Sequence, residues 1–329
     1  MTGWQHIAGA DDLNLNLILR AEKLIAPYIV QTPVLNSPCL DHAVGGASSG
    51  TQLWFKCENL QKTGAFKFRG ACHALLHLTE SQRQAGVYTV SSGNHGAALA
   101  HAGQILGVSV HVAVPNNAPG VKKQNIARFG AHITEIEPGM AAREAQIKHW
   151  QEASTMQFIP PYDHPLIIAG QATAALELIK EQPELDGILA PLGGGGLLSG
   201  TAMVAHSQGI PVWGVEPELA ADGASSLKLG TIQAAMPPRS ICDGLLTSLG
   251  SHTFPVVQDY VNDILLVSDT DVIRAMKVLW QSLKVIVEPS SAVVYAAVCK
   301  YPELFQGKRL GLILSGGNVD LERVPWTGE

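Results

Sequence analysis

Four consecutive glycines stand in Pro191-Leu192-Gly193-Gly194-Gly195-Gly196-Leu197, between an apolar run and a segment, Leu197–Ser207, that can be helical. A phosphate dianion seated there would accept several bare backbone N–H groups and gain from the helix dipole, without a lysine or arginine. A merely flexible loop would not need to sit at a strand-to-helix junction. A dinucleotide site is the rival, since Glu216 ends the next apolar run where a ribose-binding acid would stand. The spacing counts against it, because G-x-G-x-x-G read from Gly193 or Gly194 puts Leu198 or Ser199 at the last glycine.

Lys67 is flanked by Phe66 and Phe68 and lies two residues before Arg69. An amine desolvated by apolar neighbours and close to another cation has its charged form disfavoured, which suits an imine-forming nucleophile that later acts as a general base. On composition alone, a solvated lysine at a helix start is the more ordinary reading. Ser91-Ser92-Gly93-Asn94-His95-Gly96 follows the apolar run Val87–Val90 and opens a helical segment, Ala97–Gly103. Its N–H groups suit a carboxylate, a reading compatible with a plain N-cap. His73 and His77 have helical spacing without the intervening glutamate of a zinc motif, and read as helix-surface residues.

These residues need a scaffold that gathers loops, and the chain has one. From about Gln52, short apolar runs alternate with helix-period segments, the pattern of βαβ units and a parallel sheet. Predicted strands are Leu53–Cys57, Val87–Val90, Val108–Val114, His132–Ile136, Gly187–Leu192, Val212–Glu216, Asp263–Val267 and Arg309–Leu314. Residues 83–156 read as a small inserted α/β domain, and 1–82 plus 157–329 as the large one, with the proline-rich stretch Pro160–Pro165 as the returning turn. Ligands in such folds sit beyond the carboxyl ends of the strands.

Composition narrows the class. Hydrophobic residues make up 46% of the 329 and charged residues 15%, which excludes disorder. The net charge of −6 comes with scattered basic residues, so a nucleic-acid surface has no support. Five cysteines without C-x-x-C spacing argue against a disulfide framework and fit a reducing cytoplasm. No export signal is visible, and Pro191, Pro211 and the glycine run break the uncharged stretch Gly187–Val215 too often for a membrane helix.

Taken together, K-T-G-A-F-K-F-R-G-A, S-S-G-N-H-G, the G-G-G-G-L loop and S-G-G-N-V-D resemble the serine racemase and serine/threonine dehydratase family of fold-type II pyridoxal-phosphate enzymes, over Thr32 to Asp320. The resemblance implies a tryptophan synthase β-like α/β fold with two open, twisted, mostly parallel sheets flanked by helices. One departure is Ala65, where the family usually has serine, which bears on substrate tuning.

Carried over residue by residue, the resemblance implies that Lys67 holds the cofactor as a Schiff base and Phe66 packs near its ring. Asn94 would bond the ring hydroxyl, Gly193, Gly194, Gly195, Gly196 and Leu197 the phosphate, and Ser315 the pyridine nitrogen. A serine can donate to an unprotonated nitrogen, whereas an aspartate would favour a pyridinium and a stronger electron sink. Taken alone, Ser315 fits the turn chemistry of Ser-Gly-Gly-Asn. Ser91, Ser92, Asn94 and His95 would seat the substrate carboxylate. Ser92 carries most information, because racemases resembling this chain have serine there and plain threonine dehydratases tend to have alanine. Inversion needs acid/base groups on opposite faces of Cα, and Ser92 would stand opposite Lys67; dehydratases of 3-hydroxyaspartate share that serine.

Arg143 matches an arginine that reaches the substrate from the small domain, and equally fits a solvated position on the helical segment Met140–Gln151. Asp243 resembles an active-site aspartate. Glu216, Ala220 and Asp222 match the metal loop of the racemase branch, a hard-oxygen set that favours magnesium, with manganese or calcium as options; by spacing alone, Asp222 is equally a helix cap.

The implied activity is dehydration of L-serine- or L-threonine-type amino acids to a 2-keto acid and ammonia, with serine racemisation. The alternatives are 3-hydroxyaspartate dehydration and, from other classes, a nicotinamide-dependent oxidoreductase or a ligand-binding protein that has lost catalysis. A homodimer is expected from the family alone. The sequence ends at Glu329, shortly after Asp320, so isoleucine-type regulation by a C-terminal domain is not expected.

Overall fold

The computed structural model describes residues 13–44, 50–91, 93–118 and 120–326, apart from the side chains at 121 and 122. Apolar runs bounded by glycine or proline become strands, and these form two sheets. The larger has the order β1 (Val34–Asn36), β2 (Gln52–Cys57), β10 (Arg309–Leu314), β7 (Gly187–Pro191), β8 (Val212–Pro217), β9 (Asp263–Val267). The smaller has the order β5 (His132–Ile136), β4 (Val110–Pro115), β3 (Val87–Val90), β6 (Gln157–Phe158). Every pairing is parallel except β1 with β2. β1 and β6 were not predicted, because strands of three and two residues are too short to show a period. β6 also carries the small sheet just past the boundary expected at residue 156.

Strands β3 and β7 have every residue buried, as helices on both faces of a parallel sheet require. The helix Pro165–Glu181 is the central spacer. Its sequence is apolar on nearly all faces, Pro165 sits in its first turn, and the His164 side chain caps it by accepting from the Leu166 N–H. Two helices cross it at backbone contact. A Cβ on Gly170 would lie 2.6 Å from the Cα of Gly70 in the helix Lys67–Leu76, and one on Gly200 would lie 2.8 Å from the Cα of Ala172, where the helix Gly196–His206 crosses. Lys67 and the glycine loop are the N-termini of those two helices.

The helix Lys67–Leu76 is buried from Phe68 to Leu75, so His73 is a core residue and not the surface residue expected. Its Nδ1 bonds the Leu166 carbonyl at 2.6 Å, and its ring meets His77 edge-on. Arg69 points into a buried ionic cluster. Its guanidinium makes paired bonds to Glu58 (2.7 and 2.8 Å) and to Glu177 (2.7 and 2.8 Å), and Lys56 completes the set by donating to Glu177 and to the Thr32 carbonyl at 2.6 Å each. Burial works against the Glu58 carboxylate, but the charge and bonds of Arg69 hold its pKa below the ordinary value.

Candidate active site

The carboxyl ends of β3, β7 and β10 and the start of the helix Lys67–Leu76 open onto one cavity of about 540 Å³. Lys67, Phe66, Ser91, Asn94, His95, Arg143, Gly193, Gly194, Gly195, Gly196, Leu197, Asp243 and Ser315 all line it. Two chain segments distant in sequence are stitched there: the Phe66 N–H donates to the Ser315 carbonyl at 3.0 Å, and Ala65 pairs with Gly316.

The Lys67 amine donates to the Pro161 carbonyl at 2.7 Å, and the Phe66 ring centroid lies 5.1 Å from it. Burial lowers its pKa to about 8, against an opposing pull from the Glu288 carboxylate. Arg69, expected to help disfavour the charged form, does not: Glu58 and Glu177 bind it elsewhere, so desolvation is the operating cause.

The glycine loop is confined by residues that the sequence did not single out. A Cβ on Gly194 would lie 2.4 Å from the Tyr162 ring, and Gly195 has φ +89° with Thr253 beside it. Side chains are excluded at both positions. Thr253 Oγ1 donates to the Gly194 carbonyl at 2.8 Å. The Asp163 carboxylate collects the N–H groups of Ser251, His252 and Thr253, which fixes that turn against the loop. The segment Pro160–Pro165 therefore does more than return the chain, since Pro161 meets the lysine, Tyr162 the glycines and Asp163 their support.

At the amino end of the helix Asn94–Leu106, Ser91 Oγ accepts from the N–H groups of Gly93 and Gly96 at 3.3 Å each. His95 is buried, its Nε2 bonds the Ile159 carbonyl at 3.2 Å, and its Nδ1 has no partner. Burial and the nearby Lys67 push its pKa down to about 3, so the imidazole is neutral and offers Nδ1 as an acceptor. Ser92 lies outside the described residues. Asn94 Nδ2 donates to both Glu288 oxygens, at 2.9 and 3.2 Å. Glu288 is a single acid far along the chain, and no motif announced it.

Glu216, Ala220 and Asp222 form a separate place at the end of β8. The N–H groups of Gly223 and Ala224 bond the Glu216 carboxylate at 3.0 and 2.8 Å, and burial raises its pKa to about 8. Both Asp222 carboxylate oxygens are buried without a partner, and its pKa is raised by the same cause. An enclosed carboxylate with orphaned oxygens, Asp222, beside the buried Glu216 fits a hard cation. Among the described residues, no group of three or more His, Cys, Asp or Glu is placed to hold a metal. Glu216 is only 1% exposed and faces main-chain N–H groups, which removes the ribose contact on which the dinucleotide reading depended.

A buried amine, an anion cradle of bare main chain and a strand-end serine on one cavity, lined from a mixed and a parallel sheet, define a fold-type II pyridoxal-phosphate enzyme. The donor set fits that cofactor group by group: an amine for an aldehyde, glycine N–H groups for a phosphate, a hydroxyl for a ring nitrogen. The chain belongs to the pyridoxal-phosphate dependent enzyme family, which it matches over residues 25–316. It is 42% identical to the β-hydroxyaspartate dehydratase of Paracoccus denitrificans, over 94% of this chain and 97% of that one. It is 43% identical to the serine racemase of Dictyostelium discoideum, over 95% and 97%. The crystal structure of the latter superposes with a TM-score of 0.88, covering 94% and 99% of the two chains. The crystal structure of a T.th. threonine deaminase gives 0.87 at 40% identity, covering 94% and 99%.

Proposed function

We propose that this enzyme is an ammonia-lyase for small L-hydroxy amino acids, with serine as the reference substrate, and that it also racemises serine. The observation that carries the reading is the Lys67 amine, brought by helix packing onto the cavity that the glycine loop lines. When bound, pyridoxal phosphate supplies the electron sink for the pair left at Cα. Lys67 would hold the cofactor through its amine, the loop Gly193–Leu197 its phosphate, Phe66 and Asn94 its ring, and Ser315 the ring nitrogen.

The chain's own groups then divide the work. The N–H groups at the head of the helix Asn94–Leu106, with the Ser91 hydroxyl, seat the α-carboxylate, while His95, whose free Nδ1 can only accept, does not bond it as the resemblance had implied. Lys67, free once substrate has taken its place, removes the Cα proton and keeps it at Nζ. Departure of the β-hydroxyl as water, carrying off the proton held at Lys67 Nζ, leaves an enamine that hydrolyses to pyruvate and ammonia when serine is the substrate. Return of a proton by Ser92 to the other face gives D-serine instead. The carboxylate pair at the end of β8 takes no part in these steps.

Replacing Ser92 with alanine is expected to slow racemisation about 100-fold or more, the share of a positioned acid, while L-serine dehydration persists. Chiral product analysis decides it, and undiminished inversion would remove Ser92 from the mechanism. A second reading, dehydration of 3-hydroxyaspartate, is favoured by Arg143 on the cavity wall, where a second carboxylate would meet it. Relative kcat/KM for serine, threonine and 3-hydroxyaspartate separates the two.

We further propose that Glu216, Asp222 and the Ala220 carbonyl hold a divalent cation, magnesium first. Magnesium at a hundred times its Kd is expected to stabilise the native enzyme by about 2.7 kcal/mol. Thermal unfolding should show that gain, and Glu216→Gln should lose it; a gain that survives in the variant places the ion elsewhere. A division into 1–82 plus 157–329 and 83–156, with β6 added to the latter, is the domain arrangement supported by the two sheets. A homodimer, testable by sedimentation, and a cytoplasmic setting, consistent with five free thiols, complete the proposal.

A further inference from the structure

We propose that Glu288 is a positioning residue that fixes which way the Asn94 amide faces and, through it, the ionic state of the cofactor's ring oxygen. The inference rests on the pyridoxal-phosphate reading of the cavity.

Glu288 is 4% exposed and lines the cavity from the larger sheet's side. Its main chain is clamped where it precedes the helix Pro289–Lys300: its N–H donates to the Gly316 carbonyl at 3.0 Å, and its own carbonyl accepts from Ser291 at 2.9 Å. A Cβ on Gly316 would lie 2.7 Å from Glu288 Oε1, so that glycine leaves the room the carboxylate occupies.

The bonds around it run through a chain of amide partners. Asn318 Nδ2 donates to the Thr63 carbonyl at 2.8 Å and to Asn94 Oδ1 at 2.9 Å. Asn94 Nδ2 donates to Glu288, and Glu288 Oε2 also accepts from the Asn318 N–H at 3.1 Å. A side-chain amide can be turned over, and what normally decides its direction is its network. Here the Thr63 carbonyl at one end can only accept, and at the other end both Glu288 oxygens already face N–H donors, from Asn94 and from the Asn318 main chain. Turning Asn94 over would set Oδ1 against the carboxylate and Nδ2 against the Asn318 amide.

The consequence for the cavity is chemical. Asn94 Nδ2 reaches both Glu288 oxygens from one side, and an amide nitrogen carries a second hydrogen, which we assign to the cavity. Asn94 therefore presents a donor to the ring oxygen and never an acceptor, which holds that oxygen as the anion. A glutamine at 288 would offer one acceptor and one donor to two donors, and the direction of the Asn94 amide would no longer be imposed.

The test is to reconstitute native, Glu288→Gln, Glu288→Asp, Asn94→Ala and doubly substituted enzymes with pyridoxal phosphate, recording visible absorption and cofactor Kd at fixed pH. Glu288→Gln is expected to shift the ratio of the ring-oxyanion band to the shorter-wavelength neutral band about tenfold, the share of one hydrogen bond to a charged group. Glu288→Asp should keep the native ratio more nearly, and Asn94→Ala should change no further when Glu288→Gln is added. A Glu288→Gln enzyme with native spectrum and native Kd overturns the proposal, even if it unfolds at lower temperature, because that outcome is purely structural. Borohydride reduction of native enzyme that leaves no pyridoxyl adduct on Lys67 would instead take down the reading of the cavity, and this inference with it.

Discussion

Lys67→Ala is expected to lower kcat by about 10^4-fold, the upper range of a positioned general base, and to leave no borohydride-stable cofactor adduct. Both losses follow from one amine. The structure offers a competitor, since Lys56 is also buried, but its Nζ is engaged by Glu177 and the Thr32 carbonyl and lies off the cavity. Lys67 faces a single carbonyl acceptor and an open cavity. Its pKa of about 8, set by burial against the pull of Glu288, gives the sign of a pH effect. Below that value the amine is mostly protonated and cannot attack an aldehyde, so capture of cofactor by the apo-protein should rise with pH and level off above about 8. The charged and titratable groups facing the amine are Glu288 and the neutral His95. Mass spectrometry of reduced holoenzyme with the label on Lys56, or anywhere but Lys67, would sink the assignment.

Arg69→Met is expected to destabilise the fold by about 3–5 kcal/mol, the cost of removing one partner from a buried charge set. The mechanism is the reverse of a lost attraction. Glu58 and Glu177 currently share the guanidinium, and without it Glu58, fully buried, keeps the Thr32 hydroxyl and the charge of Lys56 but loses both paired bonds. Arg69→Lys should recover part of the loss, because a point charge cannot bond both carboxylates in paired fashion. Denaturant midpoints for the two variants check this; a change under about 1 kcal/mol for methionine would mean that water or relaxation replaces the guanidinium.

The main strands and the cofactor loops were legible because each is a contiguous signal. Val87–Val90 is an apolar run closed by Gly86 and Ser91, and it is a fully buried strand. The glycine loop carries its anion chemistry within neighbouring residues. What was illegible is chemistry assembled across the chain: Tyr162, Thr253 and Glu288 are ordinary residues until the fold brings them to Gly194 and Asn94. Arg69 was misjudged for a geometric reason. Residues i and i+2 on a helix project in nearly opposite directions, so a neighbour in sequence was a stranger in space. His73 was misjudged because its helix is enclosed on several sides, and a helix-period pattern anticipates one buried face.

The glycine contacts on the helix Pro165–Glu181 act as a ruler. With Gly70 against Gly170 and Gly200 against Ala172, even a methyl added at any of these glycines would strike main chain, so the gap between the amine and the phosphate cradle cannot be tuned by gradual enlargement. New substrate preferences in descendants of this scaffold must then arise on the opposite wall, around Arg143 and its neighbours, while the reacting end keeps one fixed length.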